Sequence, residues 1–215
     1  MTSMAPTPRA NMRSATGSSG SARAAAAATM VAVAAVLALH ALRRGLEPAS
    51  HRLSEYAIGP WGWLMTSAFA ALAVALWLLR RALPAAAARP VRVLLTVATI
   101  GFALSAVFPT DPTRPDAVRE TVHTVASTGG LVALTAAALW TVTRGTGAIG
   151  WRRAHGPAGA AAAVATLGVL IGPLVHDSPW TGAVQRVVGL ALTAWLLLVC
   201  RAVTGAGRTG THHPD

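Results

Sequence analysis

Lysine is absent from this chain, and cysteine, tyrosine and charged residues are scarce. Only 12% of the 215 residues are charged, about half the share that is usual in soluble domains. Cys200 is the only thiol, which excludes an intramolecular disulfide and a metal site built from cysteines. Hydrophobic residues make up 53% of the chain, and its mean hydropathy is +0.52. This composition is typical of a protein that folds in a lipid bilayer.

Because lysine is missing, the high positive charge comes from arginine alone. There are 18 basic residues against 7 acids, so the formal net charge is +11. Such a charge can indicate a nucleic-acid-binding protein, but here arginines stand in pairs at the ends of apolar runs, as in Arg80-Arg81. This placement is typical of residues that flank transmembrane helices. The sequence therefore predicts no nucleic-acid partner.

Six apolar runs dominate the chain, and each is long enough to cross a bilayer as a helix. They predict an all-α integral membrane protein, a bundle of six transmembrane helices within residues 23–204. The predicted spans are about 24–42, 61–79, 91–108, 121–143, 156–175 and 184–203. Residues 1–22 are rich in Ser, Thr, Ala, Pro and Gly and predict a disordered tail, followed at the other end by a short tail over 205–215.

The distribution of arginine predicts the orientation in the membrane. The two tails and the second and fourth loops hold 12 arginines, whereas the first, third and fifth loops hold 6. Cytoplasmic segments carry the excess of basic residues in membrane proteins. We therefore expect a multi-pass protein of the plasma membrane with both termini in the cytoplasm.

Ionisable residues other than arginine gather at the predicted outer face. Six of the seven acids lie in or beside the first, third and fifth loops, with four of the seven histidines, His40 among them. An ionisable group at membrane depth is costly unless it has a partner or a function. These residues predict an outward polar pocket that binds a lipid, a small molecule or a protein partner. Its candidate residues are His51, Ser54, Glu55, Tyr56, Asp111, His123, Gln185 and Arg186.

Two other functions use the same residues. A membrane hydrolase would use Ser54, Asp111 and His123 as catalytic candidates, and zinc could be held by His51, His123 and His176 with Asp111. No local ligand motif such as His-Glu-x-x-His is present, so the sequence favours a protein without metal or cofactor and without enzymatic activity. A small-solute transporter is the second alternative.

Structural roles are also open for these side chains. The loop residues can cap helix ends or remain solvated, and Arg186 can form an ion pair with Asp177 or Glu55.

The polar motifs resemble a known family. They are Pro48-x-x-His51-x-x-Ser54-Glu55-Tyr56-x-x-Gly59-Pro60-x-Gly62-Trp63-Leu64-Met65, then Phe108-Pro109-Thr110-Asp111-Pro112, His123 and Gln185-Arg186. In this order they resemble the bacterial and archaeal membrane family called "domain of unknown function 998", over about residues 25–203. The resemblance implies a six-helix membrane protein and implies no activity, substrate or cofactor. The combination of Ser, Asp and several His is also similar in kind to the alkaline-ceramidase-like membrane hydrolases, which have more helices and hold zinc with three His.

Overall fold

The computed structural model describes residues 8–83, 89–110, 117–145 and 151–206. Within these ranges the chain forms six long helices and no strands. All six are long and apolar enough to cross a membrane, which confirms the predicted all-α, six-span membrane protein. The helices are α1 (Pro8–Leu42), α2 (Gly62–Ala82), α3 (Arg89–Val107), α4 (Ala117–Arg144), α5 (Trp151–Ile171) and α6 (Thr181–Ala206).

The helix ends differ from the ends of the apolar runs. Helix α1 begins at Pro8, inside the stretch 1–22 for which the sequence predicts disorder. Proline suits the first turn of a helix, and the apolar part of α1 starts only at Ser18, so hydropathy marks the membrane segment and not the helix. Residues 1–7 and 207–215 of the two predicted tails lie outside the described ranges.

Helix α5 ends earlier than its apolar run. The membrane segment runs from Ala154 to Val175, close to the predicted 156–175, but its α-helical part stops at Ile171 and a 3₁₀ helix, Gly172–Val175, follows. Pro173 cannot donate the backbone hydrogen bond that would continue an α-helix. The chain is thereby directed across the end of the bundle towards α6.

The helices pack in chain order and close into a ring. Each helix contacts the next, and α6 returns to contact α1. The connecting loops therefore alternate between the two ends of the bundle. We call the end with loop 1 (residues 43–61), the α3–α4 connection and loop 5 (residues 172–180) the odd-loop end, and the opposite end the even-loop end. Loop 1 contains a second 3₁₀ helix, Leu53–Ala57.

Close approach between helices depends on small residues at the contacts. A Cβ atom on Gly101 of α3 would lie 2.8 Å from the Cα atom of Gly130 of α4, so only glycine permits this spacing. Larger side chains fill the rest of the interior, among them Leu76, which is fully buried. The indole of Trp195 is also fully buried, and its Nε1–H donates to Thr141 Oγ1 at 3.0 Å.

Apolar side chains also cover the outside of the bundle. In the membrane segment of α5 only 17% of residues are buried inside the protein, against 44% in α6. In water such a surface would be unfavourable, whereas a bilayer solvates it. The chain is therefore a multi-pass membrane protein in a lipid environment, and α5 has the most lipid-exposed span.

Candidate functional site

Two hydrogen bonds, each donated by a backbone N–H group, hold loop 1 on the start of α6. The Ala183 N–H donates to the Ala49 carbonyl at 2.8 Å, and the Leu53 N–H donates to Gln185 Oε1 at 2.6 Å. The first N–H groups of a helix have no partner within the helix, so loop 1 supplies one for Ala183. Gln185, predicted as a binding residue, is used here to hold the loop.

Gly182 allows loop 1 to lie so close to α6. A Cβ atom at this position would lie 2.6 Å from the Pro48 carbonyl oxygen and 2.8 Å from Arg186 Nη1, and it would also meet the His51 carbonyl. Two of these neighbours are backbone atoms, which cannot turn aside as a flexible side chain can. A larger residue at 182 would therefore push the loop away from the helix.

Arg186 is the centre of the polar cluster at this junction. Its Nε–H donates to His40 Nε2 at 2.9 Å, and its Nη1–H donates to the His51 carbonyl at 2.8 Å and to the Gly182 carbonyl at 2.9 Å. The guanidinium carbon lies 5.4 Å from the centre of the Tyr56 ring, within the range of a cation–π contact. Arg186 thus joins α1, loop 1 and α6 without the carboxylate partner that the sequence suggested for it.

Tyr56 and His40 complete this cluster. Tyr56 is buried, its ring stacks on His40 at 5.0 Å between centroids, and its hydroxyl donates to the Leu46 carbonyl at 3.2 Å. His40 comes from the last turn of α1 and has its second nitrogen, Nδ1, 2.7 Å from the Val36 carbonyl. The remaining guanidinium nitrogen of Arg186, Nη2, is buried and has no acceptor among the described residues.

A second polar group lies between loop 1 and loop 5. Arg52 Nη2 is 2.9 Å from His176 Nε2, and His176 Nδ1 is 3.0 Å from Asp177 Oδ1. The side chains of His176 and Asp177 are 59% and 95% exposed, so water surrounds this contact and weakens it. Its main effect is to place a guanidinium group beside loop 5 at the odd-loop end.

His123 lies apart from both groups. It is buried, and its Nδ1 is 2.8 Å from the Phe108 carbonyl at the end of α3. Its ring packs edge-on against Phe69, with 6.0 Å between centroids. These contacts satisfy the imidazole within the bundle and connect α2, α3 and α4 near the odd-loop end.

The predicted site residues are therefore only partly brought together. His51, Tyr56, Gln185 and Arg186 meet at the junction of loop 1 and α6. Ser54 and Glu55 lie in the 3₁₀ helix Leu53–Ala57, which also contains Tyr56. Asp111 lies outside the described residues. In the described part of the chain, no three His, Cys, Asp or Glu side chains are grouped so that they could hold a metal ion.

Two residues that the sequence did not single out as a site, His40 and Gly182, belong to this junction. His40 had one signal, an ionisable residue at the end of an apolar run. Gly182 had none, because its role depends on a tertiary contact with residues 48–51.

An apolar groove of about 440 Å³ runs along the outside of the bundle between α5 and α6. This volume is within the range of about 300–1,000 Å³ of small-molecule sites. Exposed side chains such as Leu167, at 59%, and Trp180, at 63%, are part of its lining, so the groove opens towards the lipid. It is lined by Val164, Leu167, Gly168, Ile171, Trp180, Ala183, Val184 and Val187.

The groove reaches the polar groups at the odd-loop end. Its lining residue Ile171 precedes loop 5, and its lining residue Trp180 ends that loop. Loop 5 also carries His176, which contacts Arg52 of loop 1. Ala183, also in the lining, is bonded to loop 1 through Ala49. The apolar groove and the guanidinium group of Arg52 are therefore both associated with loops at the odd-loop end.

Comparison with known proteins assigns a family and no activity. No curated protein and no solved structure matches the chain. The sequence does match a family over residues 26–202, which is most of the chain. The match covers the second to fifth membrane segments completely, and it covers the first and the sixth except for the start of the first and the end of the sixth. This protein belongs to the family described as "Protein of unknown function (DUF998)".

Proposed function

We propose that this protein is a non-enzymatic membrane protein that binds a phospholipid at its odd-loop end. The groove between α5 and α6 takes an acyl chain, and Arg52 takes the phosphate. The observation that carries the proposal is that the lining of this apolar groove includes Ile171 and Trp180, at the two ends of the segment that holds His176, the contact of Arg52.

The chemistry of the two parts fits one amphiphile. The lining of the groove is apolar, as a hydrocarbon chain requires. The guanidinium of Arg52 has several N–H donors and matches the geometry of a phosphate. Only one described hydrogen-bonding partner, the neighbouring His176 ring, uses these donors.

The proposal includes the orientation predicted from arginine. With both termini in the cytoplasm of a plasma-membrane protein, the groove opens in the outer leaflet and the polar groups lie at its surface. Trp61, Trp63 and Trp180 are exposed at this end, and tryptophan is enriched at membrane interfaces. This placement supports a headgroup at Arg52 and an acyl chain extending along α5 and α6.

Native mass spectrometry of the protein purified in mild detergent tests the proposal. We expect a phospholipid to stay bound, and Val187→Trp, which fills the groove, to reduce its occupancy several-fold. Val97→Trp is the matched control, because Val97 is similarly exposed but lies on α3, away from the groove. Equal lipid occupancy in the two variants would contradict the proposal.

A further inference from the structure

The two hydrogen bonds of His40 define its protonation state. Nδ1 lies 2.7 Å from the Val36 carbonyl, which can only accept, so Nδ1 carries a proton. Nε2 lies 2.9 Å from Nε of Arg186, which can only donate, so Nε2 carries none. His40 is therefore neutral in this structure, with its proton on Nδ1.

Among the described residues, the surroundings of His40 hold one cation and no compensating acid. Arg186 on α6 and Tyr56 in loop 1 are the ionisable residues in contact with its ring. Directly after α1, Arg43 donates to the Ile58 carbonyl and Arg44 donates to the Ala41 carbonyl.

In the part of the chain that the structure describes, the other elements packed near His40 bring no compensating charge. Helix α2 has no ionisable residue before Arg80, at its far end. In loop 1, the His51 ring lies near the Glu47 carbonyl. Neither loop 1 acid, Glu47 or Glu55, forms an ion pair with His40 or Arg186 in the described part of the chain.

We propose that His40 is a protonation-controlled latch that holds loop 1 on α6. A proton on Nε2 would remove the acceptor of the Arg186 Nε–H and place two positive groups in contact. Arg186 would then withdraw, and its hydrogen bond to the His51 carbonyl would be lost with it. Closure of the latch and a proton on Nε2 of His40 therefore exclude each other.

The latch also regulates the proposed lipid site, and this part of the inference rests on the proposed function. Loop 1 borders the groove through the bond between Ala183 and Ala49, and it carries Arg52. Release of the loop would separate the phosphate-binding arginine from the acyl groove. Acidification would therefore release a phospholipid that is bound at both.

Amide hydrogen exchange tests the latch without any lipid. The N–H groups of Ala183 and Leu53 both bond across the junction, so peptides that contain them report its closure. Exchange of the delipidated protein is measured at about pH 8 and about pH 5, on either side of the usual titration of histidine, and corrected for the intrinsic rate. We expect protection at these amides to fall about tenfold or more at the lower pH, as for the loss of a hydrogen bond to a charged group.

Histidine variants identify the group that responds. His40→Gln keeps a neutral acceptor for Arg186 at every pH, so its protection should not change between the two conditions. His155→Gln is the control and should respond like the wild type, because the His155 ring lies near the Val142 carbonyl and does not contact Arg186. Unchanged wild-type protection at the lower pH would overturn the latch, as would an undiminished response in His40→Gln.

The lipid measurement separates the two proposals. If protection falls but lipid occupancy is the same at both pH values, the latch stands and its coupling to the lipid site is refuted. If no phospholipid binds at either pH, the proposed function fails while the exchange result still decides the latch.

Discussion

Replacing Gly182 with alanine should separate loop 1 from α6. The added Cβ would lie 2.6 Å from the Pro48 carbonyl oxygen and 2.8 Å from Arg186 Nη1, both closer than van der Waals contact. Overpacking of this kind costs about 1–3 kcal/mol, and the backbone on one side prevents relaxation by a rotamer change. For a chain of this size that cost corresponds to a decrease of about 2–12 °C in the unfolding midpoint.

Gly189 provides a control on the same helix. It lies seven residues after Gly182, and a Cβ atom there would meet nothing within 4 Å. Gly189→Ala should therefore leave the midpoint unchanged or raise it slightly, since alanine favours helix more than glycine does. Thermal unfolding of both variants in the same detergent, followed by tryptophan fluorescence, makes the comparison. Equal midpoints for Gly182→Ala and Gly189→Ala would refute the packing of loop 1 on α6.

Two further predictions concern orientation and the bundle interior. In a Cys200→Ser background, a cysteine that replaces Ser50 should react with an impermeant thiol reagent in intact cells, and a cysteine that replaces Gly205 should not. The reverse pattern would show that the orientation predicted from the arginine distribution is wrong. Trp195→Phe and Thr141→Val should each lower the free energy of unfolding, and a double-mutant cycle should give about 0.5–1.5 kcal/mol for their hydrogen bond. A coupling energy of zero would show that this bond does not stabilise the bundle.

The number of helices could be predicted from the sequence because each membrane segment must be apolar along its length. Their ends could not, because hydropathy changes where the chain leaves the membrane and a helix can continue beyond that point. Helix α1 shows this at Pro8, ten residues before its apolar part begins at Ser18. At α5, by contrast, Pro173 ends the α-helix while the chain is still apolar.

The candidate site was predictable only as a set of residue types at one end. His123 was predicted to belong to the site because it is an ionisable residue in an apolar segment. In the structure its partner is the backbone carbonyl of Phe108. A carbonyl gives no sequence signal, and most buried polar groups are paired in this way. The contact between His40 and Arg186 joins residues 146 positions apart, and it depends on the closure of the helix ring rather than on any local pattern.

The most direct test of the proposed function is to map where a phospholipid binds. Protein in vesicles that contain a phospholipid with a photoreactive group in its acyl chain is irradiated, digested and analysed by mass spectrometry. We expect the label to concentrate on the groove residues between Val164 and Val187 and to decrease there in Arg52→Gln. Label spread evenly over the exposed faces of all six helices, and unchanged in Arg52→Gln, would contradict a specific phospholipid site.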